Sequence, residues 1–109
     1  MRMLMVLALL ASPAAAEAVK LDGPAITKAL AGVKLVYDDG TSQSFAADGG
    51  TTFDGGNGPS NGRWKVAGNQ YCSQWPPSDS WACYDVTVEG GAISFVAGDG
   101  SASVGRVKE

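Results

Sequence analysis

Turn pairs built on glycine recur about every ten residues through most of the chain. They are Asp39-Gly40, Asp48-Gly49, Asn57-Gly58 with Asn61-Gly62, Gly68-Asn69, Gly90-Gly91 and Asp99-Gly100, with Pro76-Pro77 falling in the same rhythm. Asn-Gly, Asp-Gly and Gly-Gly supply the positive φ values that tight hairpins need. The runs between them read as short strands: 33–37, 41–47, 51–53, 63–67, 69–75, 81–89, 92–97 and 101–107. Several alternate, with Trp64 and Val66 set against Arg63 and Lys65, and Ile93 and Phe95 against Ser94 and Val96. Alternation of this kind describes a sheet with one buried face. Eight short strands joined by tight turns predict an all-β, up-and-down antiparallel meander, closed into a small barrel or left as a strongly curved sheet. The fifteen glycines suit both the turns and the curvature.

Ahead of the meander, which covers 33–109, residues 17–32 form an N-terminal segment with one short helix. Asp22 or Gly23 can cap it, Pro24 fits the first helical position, and Gly32 is a fitting stop. Ile26, Ala29 and Leu30 share a face at i, i+3, i+4. Two turns are too few for a stable isolated helix, so the Ile26/Leu30 stripe must dock on the sheet.

Residues 1–16 carry a secretory leader pattern. Arg2 is followed by an apolar run from Met3 to Ala11, then Pro13 and the small residues Ala14, Ala15 and Ala16. The expected cut follows Ala16, with Ala18 as second choice. The apolar run is far short of the roughly 20 residues that a bilayer span needs, so no membrane span is expected after cleavage. The expected location is periplasmic or secreted. Losing Arg2 moves the net charge from −3 to −4, with no basic run anywhere. Nucleic acid is therefore not an expected partner, because neutralised phosphates supply most of such affinity.

The chain holds two cysteines, Cys72 and Cys83, and no histidine. Two cysteines in a small exported domain predict one disulfide. Zinc would need further soft or imidazole ligands, so no metal or cofactor is expected. Both cysteines lie in a segment, Tyr71–Tyr84, that reads almost alike in either direction: YCSQWPPSDSWACY. As an antiparallel hairpin it would place Cys72 opposite Cys83 and Tyr71 opposite Tyr84, with Pro76-Pro77 opening the loop. Parity then puts Tyr84, Val86 and Val88 on one face and Trp81, Cys83 and Asp85 on the other. With the first face inside, the disulfide and Trp81 lie outside, where the Ile26/Leu30 stripe is the expected cover.

Catalytic chemistry has few carriers in this sequence, and no catalytic residue is assigned. The usual general base at neutral pH is missing, and no serine sits in a G-x-S-x-G or S-x-x-K setting. Asp38-Asp39, Asp48, Asp54 and Asp99 all lie at glycine turns, where aspartate caps the turn; an acid/base pair among them is the competing reading. The Asp48–Asn57 stretch matches neither the EF-hand spacing nor the glycine-rich nonapeptide order. The aromatics are better candidates. Trp64, alternating with Val66, belongs in the core. Trp75 and Trp81, with Pro76 and Pro77 between them, form the candidate binding surface, because rigid aromatics beside a loop serve recognition as readily as packing.

At GRWKVAGNQYCSQWPPSDSWACY the chain resembles a group of small exported proteins of Gram-negative bacteria that share a G-x-W strand, a Tyr-Cys strand and a Trp/Cys/Tyr strand, a family labelled as a domain of unknown function. The resemblance covers about 26–105 and implies a disulfide-bonded periplasmic β-module, with no activity attached. A looser likeness is to small periplasmic lysozyme inhibitors of the eight-stranded barrel type, although their ordering of Cys and Gly around the inhibitory loop is missing here. The expected function is a non-enzymatic binding or interaction module of the envelope, with a protein or glycan as partner. Inhibition of a cell-wall hydrolase and an envelope enzyme using Asp carboxylates are the alternatives.

Overall fold

A computed structural model describes residues 17–108; the leader assigned to 1–16 lies outside them. The elements run β1 (Val19–Lys20), α1 (Gly23–Leu30), β2 (Val33–Tyr37), β3 (Ser42–Phe45), β4 (Gly50–Asp54), β5 (Pro59–Ala67), β6 (Gln70–Gln74), β7 (Ala82–Glu89), β8 (Ala92–Val96) and β9 (Ala102–Val107). Strands β2 to β9 pair antiparallel with their sequence neighbours, and β2 also pairs with β9. The meander therefore closes into an eight-stranded barrel, which leaves its strands no free lateral edge over most of their length. The aspartate turns form as expected. Asp39, Asp48, Asp54 and Asp99 each accept a backbone N–H from two residues on, and Gly40 (φ 90°) and Gly100 (φ 90°) take the left-handed conformation beside two of them.

The Tyr71–Tyr84 hairpin has the expected register. Tyr71 pairs with Tyr84 and Cys72 with Cys83, and the cysteines are disulfide-bonded at a Cα–Cα distance of 4.0 Å. Strand β7 outlasts β6 in this pairing. The edge of β7 beyond Tyr84 is taken by β1, with Val19 opposite Val88 and Lys20 opposite Thr87. The sequence reading contained no such ninth strand, since two residues carry no period. From there the backbone N–H of Leu21 donates to Val86 O, and the chain turns into α1.

Helix α1 is capped by Asp22, whose Oδ1 accepts from Ala25 N at 3.0 Å, and Pro24 sits in its first turn. Gly23 fits closely against the β5–β6 turn. Its N–H donates to Asn69 Oδ1, and a Cβ there would lie 2.4 Å from Gly68 O. This seats the helix across one end of the barrel. Ile26 and Leu30, both fully buried, join Leu35, Phe45, Trp64, Tyr71, Val86, Ile93 and Phe95 in a single core. The expected destination of the stripe is thus corrected. It plugs the barrel interior and does not cover the disulfide or Trp81. Filling an open barrel end removes more apolar surface from water than lying on the outer wall, at about 1.5–3 kcal/mol per large aliphatic side chain.

The core is ordered by aromatic contacts around Phe45. Its ring meets Trp64 and Tyr71 edge-on at 5.8 Å each and stacks with Phe95 at 6.1 Å. Trp64 is core, as its alternation suggested, and its indole N–H donates to Ala46 O at 2.9 Å. A second correction concerns Asn61-Gly62, which is strand and not turn: both lie within β5.

Candidate functional site

At the end opposite the helix, the inward-facing residues no longer fill the barrel. They leave a cup of about 830 Å³, bounded by the β2–β3 turn, by Trp75 and Pro76 of the β6–β7 connection and by the first residues of β9. This is within the usual size range of small-molecule sites, about 300–1,000 Å³. Its walls are aromatic. Tyr37 and Phe53 lie 6.5 Å apart, Phe53 and Trp75 6.5 Å, and Tyr37 and Phe95 6.3 Å. Tyr71 and Tyr84, 6.1 Å apart, continue the lining downward.

Two of these rings stand where they do because the strand facing them carries glycine. Gly105 pairs directly with Tyr37 across β2–β9, and a Cβ at Gly105 would lie 3.1 Å from the Tyr37 ring. At Gly62 a Cβ would lie 2.6 Å from Trp75 Cε3 and 2.6 Å from Gln74 O. Glycine at these positions lets a large ring lie flat on its neighbour's backbone, lining the cup and not blocking it.

The floor is polar and closely connected. Tyr37 Oη donates to Gln43 Oε1 at 2.6 Å, and Gln43 Nε2 donates to Thr51 Oγ1 at 2.9 Å and to Tyr71 Oη at 3.1 Å. Thr51 Oγ1 in turn donates to Ser44 O at 2.8 Å. Gln43 is 7% exposed, and each of its side-chain polar atoms has a partner, as a buried amide requires. Burial is the main cause that pushes the Tyr37 hydroxyl well above its ordinary pKa, with Tyr71 and Asp39 adding to it. Burial likewise raises Tyr71. Both hydroxyls are neutral at physiological pH. Asp38 and Asp39 stand at the lip. Asp39 is fully exposed and its pKa is lowered, first by the hydrogen bond from the Thr41 hydroxyl, which is the direction opposite to that of a general acid.

The four residues of the expected binding surface do not act as one. Trp75 and Pro76 line the cup, and Trp75 Nε1 donates to Ser73 Oγ at 3.1 Å. Pro77 is exposed in the loop beyond them. Trp81, 36% exposed, lies with Cys83 on the outer wall, where the Lys65 ammonium stands 4.1 Å from its ring centroid. The sequence reading missed Tyr37, Gln43, Phe53, Tyr84 and Ser103 as lining residues. Gln43 carried a usable signal, since it shares its strand face with Phe45 and so puts a polar amide at an inward position.

Comparison with known proteins yields no match to a family model, to a curated protein or to a solved structure.

Proposed function

We propose that this chain is an exported, non-enzymatic binding module of the cell envelope that holds a small ligand in the mouth of its barrel. The observation that carries the reading is the aromatic-walled cup of about 830 Å³ opposite the helix-plugged end. A rigid scaffold with one end sealed by packing and the other open over aromatics and a few placed polar groups has the form of a ligand site. The leader pattern of 1–16 and the Cys72–Cys83 disulfide support export to the periplasm or beyond. The resemblance to small exported Gram-negative proteins points to the same compartment. Asp48 and Asp54 cap turns, which accounts for those carboxylates without an acid/base role.

The test is native mass spectrometry of the mature chain purified from envelope extract, beside a Trp75→Ala variant. A co-purifying small molecule or glycan present on the parent and lost from the variant supports the module. Turnover of a substrate by the pure protein, abolished by Asp48→Asn or Asp54→Asn, would overturn it in favour of an enzyme.

A further inference from the structure

Resting on the ligand-binding reading above, the class of ligand follows from what the cup leaves unused. The donors of its polar floor, and that of Trp75, are spent on the protein. The Tyr37 hydroxyl goes to Gln43, both protons of the Gln43 amide go to Thr51 and Tyr71, and the Trp75 indole N–H goes to Ser73. No lysine or arginine stands among the described residues that line it. An anion would therefore enter a site that offers it no positive charge and sets two carboxylates at its lip, at a large desolvation cost. What the cup does present is three aromatic rings in a row, Tyr37, Phe53 and Trp75, each 6.5 Å from the next, under a lip carrying the Asp38 and Asp39 carboxylates. Ring faces attract cations through their quadrupole, and aromatic surroundings with nearby carboxylates are how ammonium groups that cannot donate hydrogen bonds are held.

We propose that the cup binds a small organic cation, an alkylated ammonium carried on an apolar body, with the ammonium against the aromatic row and beneath the Asp38/Asp39 lip. The volume is larger than a bare tetraalkylammonium needs, so an apolar portion reaches down toward Phe95 and Tyr84. The carboxylates also steer a cation to the mouth, which makes the association sensitive to salt.

Three probes of similar size and different charge test this: benzyltrimethylammonium, benzyl alcohol and phenylmethanesulfonate. Each is titrated into the mature protein while the three indole N–H resonances are followed by NMR. The expected result is a saturable shift of the Trp75 indole with the ammonium, at an affinity about tenfold or more above that of the alcohol, and none with the sulfonate. Asp38→Asn/Asp39→Asn keeps the turn acceptors but removes the lip charge. It should weaken the ammonium several-fold and leave the alcohol unchanged. Phe53→Leu, which keeps an apolar wall, should weaken the ammonium while the spectrum stays dispersed. Equal binding of ammonium and alcohol, or tighter binding of the sulfonate, overturns the cation and leaves the cup as a ligand site. A shift confined to the Trp81 indole moves the binding to the outer wall and overturns the proposal. Absence of any shift with all three probes at their solubility limits overturns both the cation and the cup as a site for small ligands.

Discussion

The indole of Trp75 lies on the backbone of Gly62, so close that a single methyl group there would stand 2.6 Å from the ring. Gly62 is half-buried within strand β5 and not placed in a turn, and its lack of a side chain leaves room for this aromatic of the cup's wall. Gly62→Ala should push the Trp75 ring off the wall. We expect a loss of about 1–3 kcal/mol of stability, as for other overpacked sites, and a displaced Trp75 indole resonance. Chemical denaturation and NMR of the variant check both. An unmoved Trp75 resonance would show that the ring finds its place without the glycine.

The Gln43 amide joins β2, β3, β4 and β6 through Tyr37, Thr51 and Tyr71. Gln43→Leu keeps the volume but leaves the half-buried Tyr37 hydroxyl without its acceptor and Tyr71 without its donor. The expected cost is about 1–3 kcal/mol, measured as a lower denaturation midpoint at unchanged slope. A neutral outcome would mean that these groups are satisfied by water from the cup.

Stability at alkaline pH follows from the raised tyrosines. Tyr37 and Tyr71 ionise above the ordinary tyrosine value of 10.0 in the folded protein, because burial disfavours the phenolate. The unfolded chain releases these protons first, so the stability they contribute is fully present below pH 10.0 and is lost as pH rises above that value. Melting temperature should be insensitive to these two groups at neutral pH and should fall increasingly above pH 10.0, with a shallower fall in Tyr37→Phe. An identical slope in parent and variant would exclude Tyr37 as a source.

Ile26 is fully enclosed at the plugged end, where α1 meets the barrel core. Ile26→Ala should cost about 2–5 kcal/mol by leaving a cavity that a docked helix cannot close. Since α1 lies away from the outer wall, the Trp81 indole resonance should stay in place. Movement of that resonance would return the helix to the disulfide side.

Reduction of Cys72–Cys83, eleven positions apart, releases a loop that includes Trp75 and Pro76 of the cup. The expected loss is about 3 kcal/mol on a chain-entropy basis. It is read from denaturation with and without reductant, and a smaller loss would show that barrel closure already restrains the loop.

Much of this fold could be read from the sequence because its signals are local. The Asp-Gly turns mark hairpin ends, and the matched pairs Tyr71/Tyr84 and Cys72/Cys83 state a register outright. What was not legible depends on closure. The face of α1 is visible in the spacing of Ile26 and Leu30, but whether that face meets the outer wall or the barrel interior is decided by pairing between β2 and β9, distant in sequence. Gly62 was misread because glycine serves two purposes, positive φ in turns and room for a neighbour in strands, and its immediate context, Asn61-Gly62, suits the first. Trp75 and Trp81 look equivalent in the mirrored segment, yet strand parity and the intervening loop send one to the cup and the other outside.

The helix plug divides the barrel into two ends with different tolerance for change. At the sealed end a substitution disturbs a filled interior and is felt through the whole sheet. At the open end the rings and turns border solvent, so on the ligand-binding proposal alterations to Phe53, Trp75 or the Asp38-Asp39 turn would redirect recognition while leaving the plugged core untouched. If the proposed binding holds, a scaffold divided in this way would exchange one ligand for another while the chain goes on folding as before, which makes the mouth of this barrel the place to look for variation and to engineer it.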